Sequence, residues 1–390
     1  MKRSISIFGA TGSVGTSTLN LMRQKKDMFE VIAITCNDNI EGISKLASEF
    51  NPKIVAINNK KKLSDLKNNV SSDIKCLGGQ EGVIEAASYK ADISIASIVG
   101  IAGLRPLIES IKSSQIIALA NKECVVSAGS LIKNLSDNNN CKIIPIDSEH
   151  NAIFQILDGK SIKDVNKIYL TASGGPFYNF SKKDLKHIKP QEAIKHPVWK
   201  MGKKISVDSA TLMNKGLEII EAHHLFEIPS KDIEVIIHKQ SIIHGLVSMK
   251  NGSLFGYFGK PSMLNPIDHA ISWPNIKENN IDPISIKDLN NLRVDLVDEA
   301  NYKSLYLSRI ALEKGGFYPV FLNAANEIAV DAFLKNKIQY LDILEIVEKV
   351  IEDIGHCENK SLETISDIDD IFFADNEARK KTLEKLEVGF

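Results

Sequence analysis

Residues 4–35 read SISIFGATGSVGTSTLNLMRQKKDMFEVIAIT. A short apolar run, SISIFG, reads as a buried strand. GATGSVG at 9–15 is a glycine-rich turn, residues from about Val14 to Lys25 form a helix, and VIAIT at 31–35 is a second strand. This strand–turn–helix–strand unit has the length that a dinucleotide fold requires. Its glycines permit the tight turn, let backbone N–H groups approach a pyrophosphate, and pack the helix on the sheet. The spacing G-x-x-G-x-x-G is the variant met more often with NADP than the stricter G-x-G-x-x-G.

Downstream the alternation continues. Strands are predicted at 53–57, 74–77, 92–97, 115–120 and 142–146, with helices near 41–49, 60–69, 80–88, 104–112 and 122–134. Short apolar runs alternating with helices give a mostly parallel sheet covered on both faces. After about residue 150 the pattern changes to strands at 167–173, 233–238, 242–249 and 253–259, which read as a sheet with antiparallel members. The segment 173–204 is long for an irregular connection, and such loops are commonly lids. Within it Trp199 and Met201 supply apolar cover, and Lys200, Lys203 and Lys204 supply charge. The Asn-rich stretch 275–300 reads as a linker and the tail from 301 as a small helical bundle. The fold class is therefore α/β: a Rossmann-like dinucleotide-binding domain over 1–147, a central α+β catalytic domain over 148–274, and a C-terminal α-helical domain over 301–390.

Composition bounds the class of partner. Among 390 residues, hydrophobic content is 43% and charged content 25%, with a net charge of −1, which argues against a generic nucleic-acid or membrane-surface binder. Five cysteines (36, 76, 124, 141 and 357) are odd in number and include no C-x-x-C, as expected of reduced thiols in a cytoplasm and of no structural zinc. A first strand at Ser4 leaves no room for a signal peptide, and no apolar run reaches membrane-spanning length.

The chemistry concentrates in 196–218, HPVWKMGKKISVDSATLMNKGLE. Ser209 reads as a helix cap, and from there to about Phe226 the sequence is apolar nearly all round. Asn214, Lys215 and Glu218 fall on one arc of that helix. A structural Lys–Glu pair is one reading of them. The other is a site, with Gly216 admitting another backbone or a ligand. Polar clusters also follow three strands of the first sheet: Thr11–Gly12–Ser13, Asn121–Lys122–Glu123 and Asp147–Ser148–Glu149. Ligands in such sheets sit beyond the carboxyl ends of the strands. Asp147, Glu149 and Glu218 are three carboxylates that suit a hard, oxygen-preferring ion, Mg²⁺ or Mn²⁺. Ser209, Asn214 and Lys215, with Ser173 in the SGG turn, make a phosphate site. Asn323, Asn326 and Glu327 are polar groups in an apolar helix, which either reach back to the site or, the preferred reading, hydrogen-bond within the core. The residues thus point to a dinucleotide enzyme acting, with a divalent metal, on a small phosphorylated substrate.

Taken together, GATGSVG, LANKE, PIDSEHNAIFQ, SGGPF, the 196–218 stretch, QSIIHG and LNAANE, in this order and spacing, closely resemble the 1-deoxy-D-xylulose 5-phosphate reductoisomerases. The resemblance spans essentially the whole chain. It implies rearrangement and reduction of 1-deoxy-D-xylulose 5-phosphate to 2-C-methyl-D-erythritol 4-phosphate in the non-mevalonate route to isoprenoids. The implied cofactors are NADPH and Mg²⁺, Mn²⁺ or Co²⁺, and the implied assembly is a homodimer. Asp147, Glu149 and Glu218 would hold the metal. Ser173, Ser209, Asn214 and Lys215 would grip the phosphate and nearby hydroxyls. Lys122, Ser148 and His196 would complete the substrate site, with Trp199 in the lid and His244 near it. Thr11, Gly12, Ser13, Val14, Asn121, Glu123 and Gly202 match cofactor contacts. One departure stands out: after the second strand the chain reads CNDN (36–39) where many relatives carry Gly and Lys or Arg. Asp38 would repel a 2′-phosphate, and Asn37 and Asn39 are the donors left to meet it. Two rival readings are a semialdehyde dehydrogenase with Cys124 as nucleophile, and a non-enzymatic NADP-sensing regulator.

Overall fold

The computed structural model describes residues 2–199, 201–278, 280–355, 365 and 367–388. Lys200 and Cys357 lie outside them. In the first part of the chain, strands β1 (Arg3–Phe8), β2 (Phe29–Cys36), β3 (Ile54–Ile57), β4 (Lys75–Gly78), β5 (Ala91–Ala96), β6 (Ser114–Leu119) and β7 (Lys142–Pro145) alternate with helices. These are α1 (Ser13–Gln24), α2 (Ile40–Phe50), α3 (Leu63–Asn69), α4 (Gly79–Ala87), α5 (Leu104–Ser113) and α6 (Lys122–Asn138), and α7 (Ser148–Leu157) follows β7. The strands form one parallel sheet in the order β4-β3-β2-β1-β5-β6-β7. The strand order reverses at β1, which has β2 on one side and β5 on the other. That switch point opens a crevice at the carboxyl ends of the strands. Ile5, Ile7, Ile34, Val55, Ile93, Ile95 and Ala118 are fully buried, so the strands read as continuous apolar runs covered on both faces.

The second part holds strand β8 (Val165–Ala172), then the short helices α8 (Lys182–Leu185) and α9 (Pro190–Ala193), and α10 (Lys203–Ala210) and α11 (Met213–Phe226). After these come β9 (Ile233–Ile237), β10 (Ile243–Met249), β11 (Leu254–Phe258), α12 (Leu264–Ser272), β12 (Asp295–Leu296), α13 (Lys303–Lys314), α14 (Tyr318–Leu334), α15 (Asp342–Gly355) and α16 (Ile368–Val388). The second sheet has the order β11-β10-β8-β9-β12 and is mixed: β8 and β9 are parallel, and the remaining pairs antiparallel. The mixed sheet and the helical tail agree with the expected α+β domain and bundle.

Compact packing divides the chain into two units, each discontinuous in sequence. One comprises Met1–Cys124, Ser130–Phe154 and Ser262–Asp282; the other comprises Val125–Gly129, Gln155–Pro261 and Pro283–Phe390. The sequence-based boundaries at 147, 274 and 300 are therefore not the joints of compact units. Helix α12, in residues assigned from sequence to the central domain, belongs to the first unit and packs against α1. Ile267, Ala270 and Ile271 enter that unit's core, and Arg3 Nη1 donates to the carbonyls of Ile271 (3.0 Å) and Trp273 (2.8 Å). Lys25 closes the contact through a buried ion pair with Asp268 at 2.5 Å. The expected linker 275–300 contributes strand β12, which pairs with β9 through Asp295–Ile237 and Leu296–Ile236.

The helix expected to start at Ser209 is two helices. Ser209 lies in the last turn of α10, where its carbonyl accepts the N–H of Leu212 at 3.2 Å. Leu212 then takes a left-handed conformation (φ 58°) and precedes α11. A β-carbon-bearing residue adopts φ > 0 at a cost of roughly 1 kcal/mol. Here the turn is held from both sides: Thr211 Oγ1 accepts the Met213 N–H (3.3 Å), and the Thr211 carbonyl accepts Ser304 Oγ–H of α13 (2.6 Å). Gly216 admits another element, as its mid-helix position suggests. A β-carbon there would stand 2.2 Å from Ser308 Oγ and 3.1 Å from the Ser304 carbonyl oxygen. Its purpose is the close approach of α11 and α13. Gly216→Ala is therefore expected to lower the unfolding free energy by about 1–3 kcal/mol, the usual cost of overpacking. Urea denaturation reads this directly, and an unchanged midpoint would show that the two helices are free to separate.

Candidate active site

In the first unit the glycine turn sits at the end of β1. Gly9 has φ +91°, and a β-carbon on it would meet the Ser97 carbonyl oxygen at 2.8 Å. Gly15 packs α1 onto the turn so closely that a β-carbon would lie 2.5 Å from the Gly9 oxygen. Gly12 and Ser13 are exposed, with Thr11 and Val14 half-exposed, so the first turn of α1 presents its N–H groups and hydroxyls outward. These four residues stand at the sheet's switch point, as expected of a cofactor turn. Asn37 and Asn39 occupy the exposed loop after β2. Their carbonyl oxygens are used locally: Asn39 Oδ1 caps α2 by accepting the Gly42 N–H (2.9 Å), and Asn37 Oδ1 accepts Asn58 Nδ2–H (3.0 Å).

Asn121 has a structural part beside the cofactor contact expected of it. It is buried and caps α6, accepting the Cys124 N–H at 3.1 Å, while its amide donates to the carbonyls of Ile98 and of Gly100 (2.9 Å). It thus fixes the loop after β5 beside the crevice. Glu123 is buried next to it. Cys124 is fully buried, with Sγ 3.7 Å from the Gly100 carbonyl oxygen. A nucleophilic thiolate needs exposure and electropositive surroundings, so Cys124 is a packing residue and the semialdehyde dehydrogenase reading loses its nucleophile. Burial likewise pushes the Cys36 and Cys141 thiols up to about 11.

Where β6 and β7 end side by side, the Ile146 N–H reaches the Leu119 carbonyl at 2.7 Å. The residues that follow these strands come together. Lys122 Nζ forms an ion pair with Asp147, both about nine-tenths buried (side-chain exposures 12% and 11%). His150 Nδ1 lies 3.6 Å from the other Asp147 oxygen. Ser148 Oγ donates to Glu149 Oε2 at 2.5 Å, in the first turn of α7. Two carboxylates and a serine at a helix start, balanced by one lysine, form a compact acidic centre. His150 was not singled out by the sequence reading. Its signal was the helical i,i+3 spacing from Asp147.

The second unit carries its own cluster. The SGG turn after β8 gives Gly174 φ +85° and Gly175 φ +66°, and a β-carbon on Gly175 would meet the Ser209 carbonyl oxygen at 2.8 Å. The turn therefore packs on the α10–α11 junction and places Ser173 near Ser209 and the start of α11. Ser173 Oγ lies 2.9 Å from His196 Nε2. His196 Nδ1 accepts the N–H groups of Val198 (3.1 Å) and Trp199 (2.8 Å), so the ring proton belongs on Nε2, which donates to Ser173. One histidine thus orders both the serine and the segment leading to Trp199. The Trp199 ring stands edge-on to buried His244, with centroids 6.3 Å apart. Gly202 caps α10 in this unit, with open space where a β-carbon would be.

On α11 the polar stripe is real. Lys215 and Glu218 are 3% and 1% exposed and form an ion pair, and Asn214 Nδ2 donates to Glu218 Oε1 at 2.5 Å. The structural pair and the polar stripe are thus one object. Asn214 and Lys215 lie in the first turn of α11, so the N–H donors expected of a phosphate site come from α11 and not from a helix starting at Ser209. Asn326 Nδ2 donates to buried Asp208 (2.8 Å), which also pairs with Lys204 (3.0 Å), and Glu327 pairs with Arg379 (2.5 Å). The Asn326 contact is a core role, as expected of it, whereas the Glu327 pair is half-buried.

A parallel sheet with a glycine turn at its switch point, together with lysine-balanced carboxylates, defines the class: a dinucleotide-fold oxidoreductase. Comparison with known proteins narrows it. Family models described as the 1-deoxy-D-xylulose 5-phosphate reductoisomerase domain (residues 5–129), its C-terminal domain (143–226) and the DXP reductoisomerase C-terminal domain (258–381) match the chain. A 1-deoxy-D-xylulose 5-phosphate reductoisomerase of Clostridium perfringens is 45% identical over 95% of this chain and 97% of its own. Two solved structures superpose with TM-scores of 0.92. One is the Zymomonas mobilis reductoisomerase in complex with NADPH, 39% identical, covering 99% of this chain and 100% of that one. The other is a DOX-P reductoisomerase in complex with NADPH, fosmidomycin and magnesium, 36% identical, covering 99% and 98%. The chain belongs to the 1-deoxy-D-xylulose 5-phosphate reductoisomerase family.

The buried pair on α11 can be tested by a double-mutant cycle on Lys215→Met and Glu218→Gln. Each single change strands a buried partner and is expected to cost about 3–5 kcal/mol of stability, with a coupling energy above about 1 kcal/mol. Additive effects in chemical denaturation would show that the two groups do not interact.

Proposed function

We propose that this chain converts 1-deoxy-D-xylulose 5-phosphate to 2-C-methyl-D-erythritol 4-phosphate, using NADPH and a divalent cation. The observation that carries the reading is the set of carboxylates buried or half-buried beside lysines: Asp147 with Lys122, and Glu218 with Lys215. Oxygen donors without cysteine fit Mg²⁺ or Mn²⁺, with Co²⁺ tolerated. Asp147, Glu149 and Glu218 are the proposed ligands. The family's solved complexes with NADPH, fosmidomycin and magnesium support the same cofactors and a phosphorylated substrate.

When bound, the cation supplies Lewis-acid charge at the substrate oxygens, and NADPH on the glycine turn supplies hydride. The chain's own residues do the rest. Lys122 and Ser148 donate hydrogen bonds to substrate oxygens. Ser173, Ser209, Asn214, Lys215 and the first-turn N–H groups of α11 hold the phosphate, and so keep the two parts of a rearranging carbon skeleton together. His196 orients Ser173, and the segment carrying Trp199 closes over the substrate and excludes water. The NADP-sensing regulator leaves these buried charges without a purpose.

The same reading makes the chain a homodimer in the cytoplasm. Support for the dimer is the edge strand β11, which exposes Leu254 (61%), Phe255 (41%) and Phe258 (40%). An apolar sheet edge of this kind calls for a partner. None of the described helices is long and apolar enough to cross a membrane.

The deciding assay follows NADPH absorbance on addition of 1-deoxy-D-xylulose 5-phosphate and Mg²⁺. Oxidation should stop on chelation and return with added metal. Turnover absent, or indifferent to chelation, sinks the assignment. Glu218→Gln should lower kcat by about a hundredfold or more while circular dichroism confirms folding; retained activity would remove it from the ligand set. For the assembly, Phe255→Asp should shift sedimentation from dimer toward monomer, and a wild-type chain that sediments as a monomer refutes the dimer.

A further inference from the structure

Asp38 follows β2 at the place where dinucleotide folds choose between cofactors. An acidic side chain there holds the ribose 2′-hydroxyl of NAD, whereas a nearby cation accommodates the 2′-phosphate of NADP. On its own residues the β2 loop thus has the wrong charge for NADPH. The loop is not alone, however. Strands β2 and β3 are parallel neighbours with Cys36 opposite Ile57, so the segments leaving them emerge side by side. Hydrogen bonds from Asn58 and Asn59 tie them together. The Asn58 N–H reaches the Cys36 carbonyl (2.9 Å), the Asn59 N–H reaches the Asn37 carbonyl (2.9 Å), and Asn58 Nδ2 donates to Asn37 Oδ1 (3.0 Å).

The β3 segment then forms a single 3-10 turn, Lys60–Lys62, with three consecutive cations. They do not point alike. The Lys60 methylenes lie beside Gly79, at the start of α4, 3.5 Å from where its β-carbon would be. Lys61 is exposed. Lys62 is half-buried and turns back, its Nζ donating to the Asp38 carbonyl oxygen at 2.8 Å. An ammonium group has three donors, and this bond uses one. The positive end of α2 begins two residues further on, at Ile40. The exposed Asp38 carboxylate is screened by water, while the Lys62 charge is anchored to the loop backbone.

We propose that Lys62, reaching across from the β3 segment, reads the 2′-phosphate of NADPH and sets the preference for NADPH over NADH in spite of Asp38. The inference rests on the cofactor assignment above. It makes Lys62 a specificity residue supplied by the neighbouring strand, in place of a basic residue in the β2 loop itself.

Direct binding tests it without turnover. The full chain is titrated calorimetrically with 2′,5′-ADP, 5′-AMP, NADPH and NADH, as wild type, Lys62→Gln, Lys62→Arg and the surface control Lys67→Gln on α3. Wild type should prefer 2′,5′-ADP to 5′-AMP by about tenfold or more, the effect of one charge-assisted hydrogen bond. Lys62→Gln should lose about tenfold for 2′,5′-ADP and NADPH while 5′-AMP binding stays unchanged, and Lys62→Arg should retain the preference. Lys67→Gln should match wild type. If Lys62→Gln binds 2′,5′-ADP as well as wild type, or if Lys67→Gln loses as much, the proposal is overturned and the cofactor assignment stands. If wild type binds NADPH no better than NADH, the proposal is overturned as well. Failure of wild type to bind NADPH at all would remove the cofactor assignment, and this inference with it.

Discussion

The structure of the second unit turns on an ammonium and a carboxylate held side by side inside an apolar helix. Lys215 and Glu218 are almost completely buried, and Asn214 adds a hydrogen bond to the same carboxylate. Taking two charges out of water costs several kcal/mol per ion, and their attraction offsets this only when geometry and extra hydrogen bonds are good. Hydrophobic side chains of similar volume would often serve stability as well or better. Position makes the case stronger. Lys215 lies in the first turn of α11, where the helix dipole disfavours a cation. A pair retained only for stability would not place its lysine there. An anion-binding lysine would, because first-turn N–H groups and an ammonium then face the same ligand. The structural pair that was one reading of this helix is thus present, and the site reading rests on where the pair stands.

That arrangement requires α11 to be fixed in rotation and height, and the surrounding contacts do this. Gly216 lets α13 approach until Ser308 fills the space of a side chain, and Ser304 bonds the carbonyl of Thr211 at the break between α10 and α11. The Gly174–Gly175 turn, possible only with positive φ, packs on the same break and delivers Ser173. Strain at Leu212 belongs to this picture. Residues held at positive φ persist where their surroundings over-determine them, and such places cluster at functional sites.

How far the sequence led follows from which forces were local. The parallel sheet was legible because each strand is a short apolar run and each helix has its own periodicity, and strands such as β2, β5 and β10 begin and end within two residues of their expected positions. The glycine turn was legible because sterics permit few residues there. The break at Leu212 was not: SATLMNKG carries no glycine or proline before the kink, and the αL residue is held by α13, almost a hundred positions away in sequence. Helix α12 and strand β12 were missed for the same reason, since their partners are β- and α-elements distant along the chain. Among the candidate site residues, the charged ones stood out by type and spacing. Asn121, Asn37 and Asn39 were read by position alone, and their side-chain oxygens prove to be engaged in caps and loop ties. Local hydrogen bonding by asparagine competes with ligand contact in a way that sequence does not display.

Both carboxylate centres share a charge logic. Lys122 pairs with Asp147 in the first unit, and Lys215 pairs with Glu218 in the second. On the proposed function, giving these carboxylates to a divalent ion deprives both lysines of their counter-charge. A buried ammonium without a partner is costly, and the anionic oxygens of a phosphorylated substrate are the natural replacement.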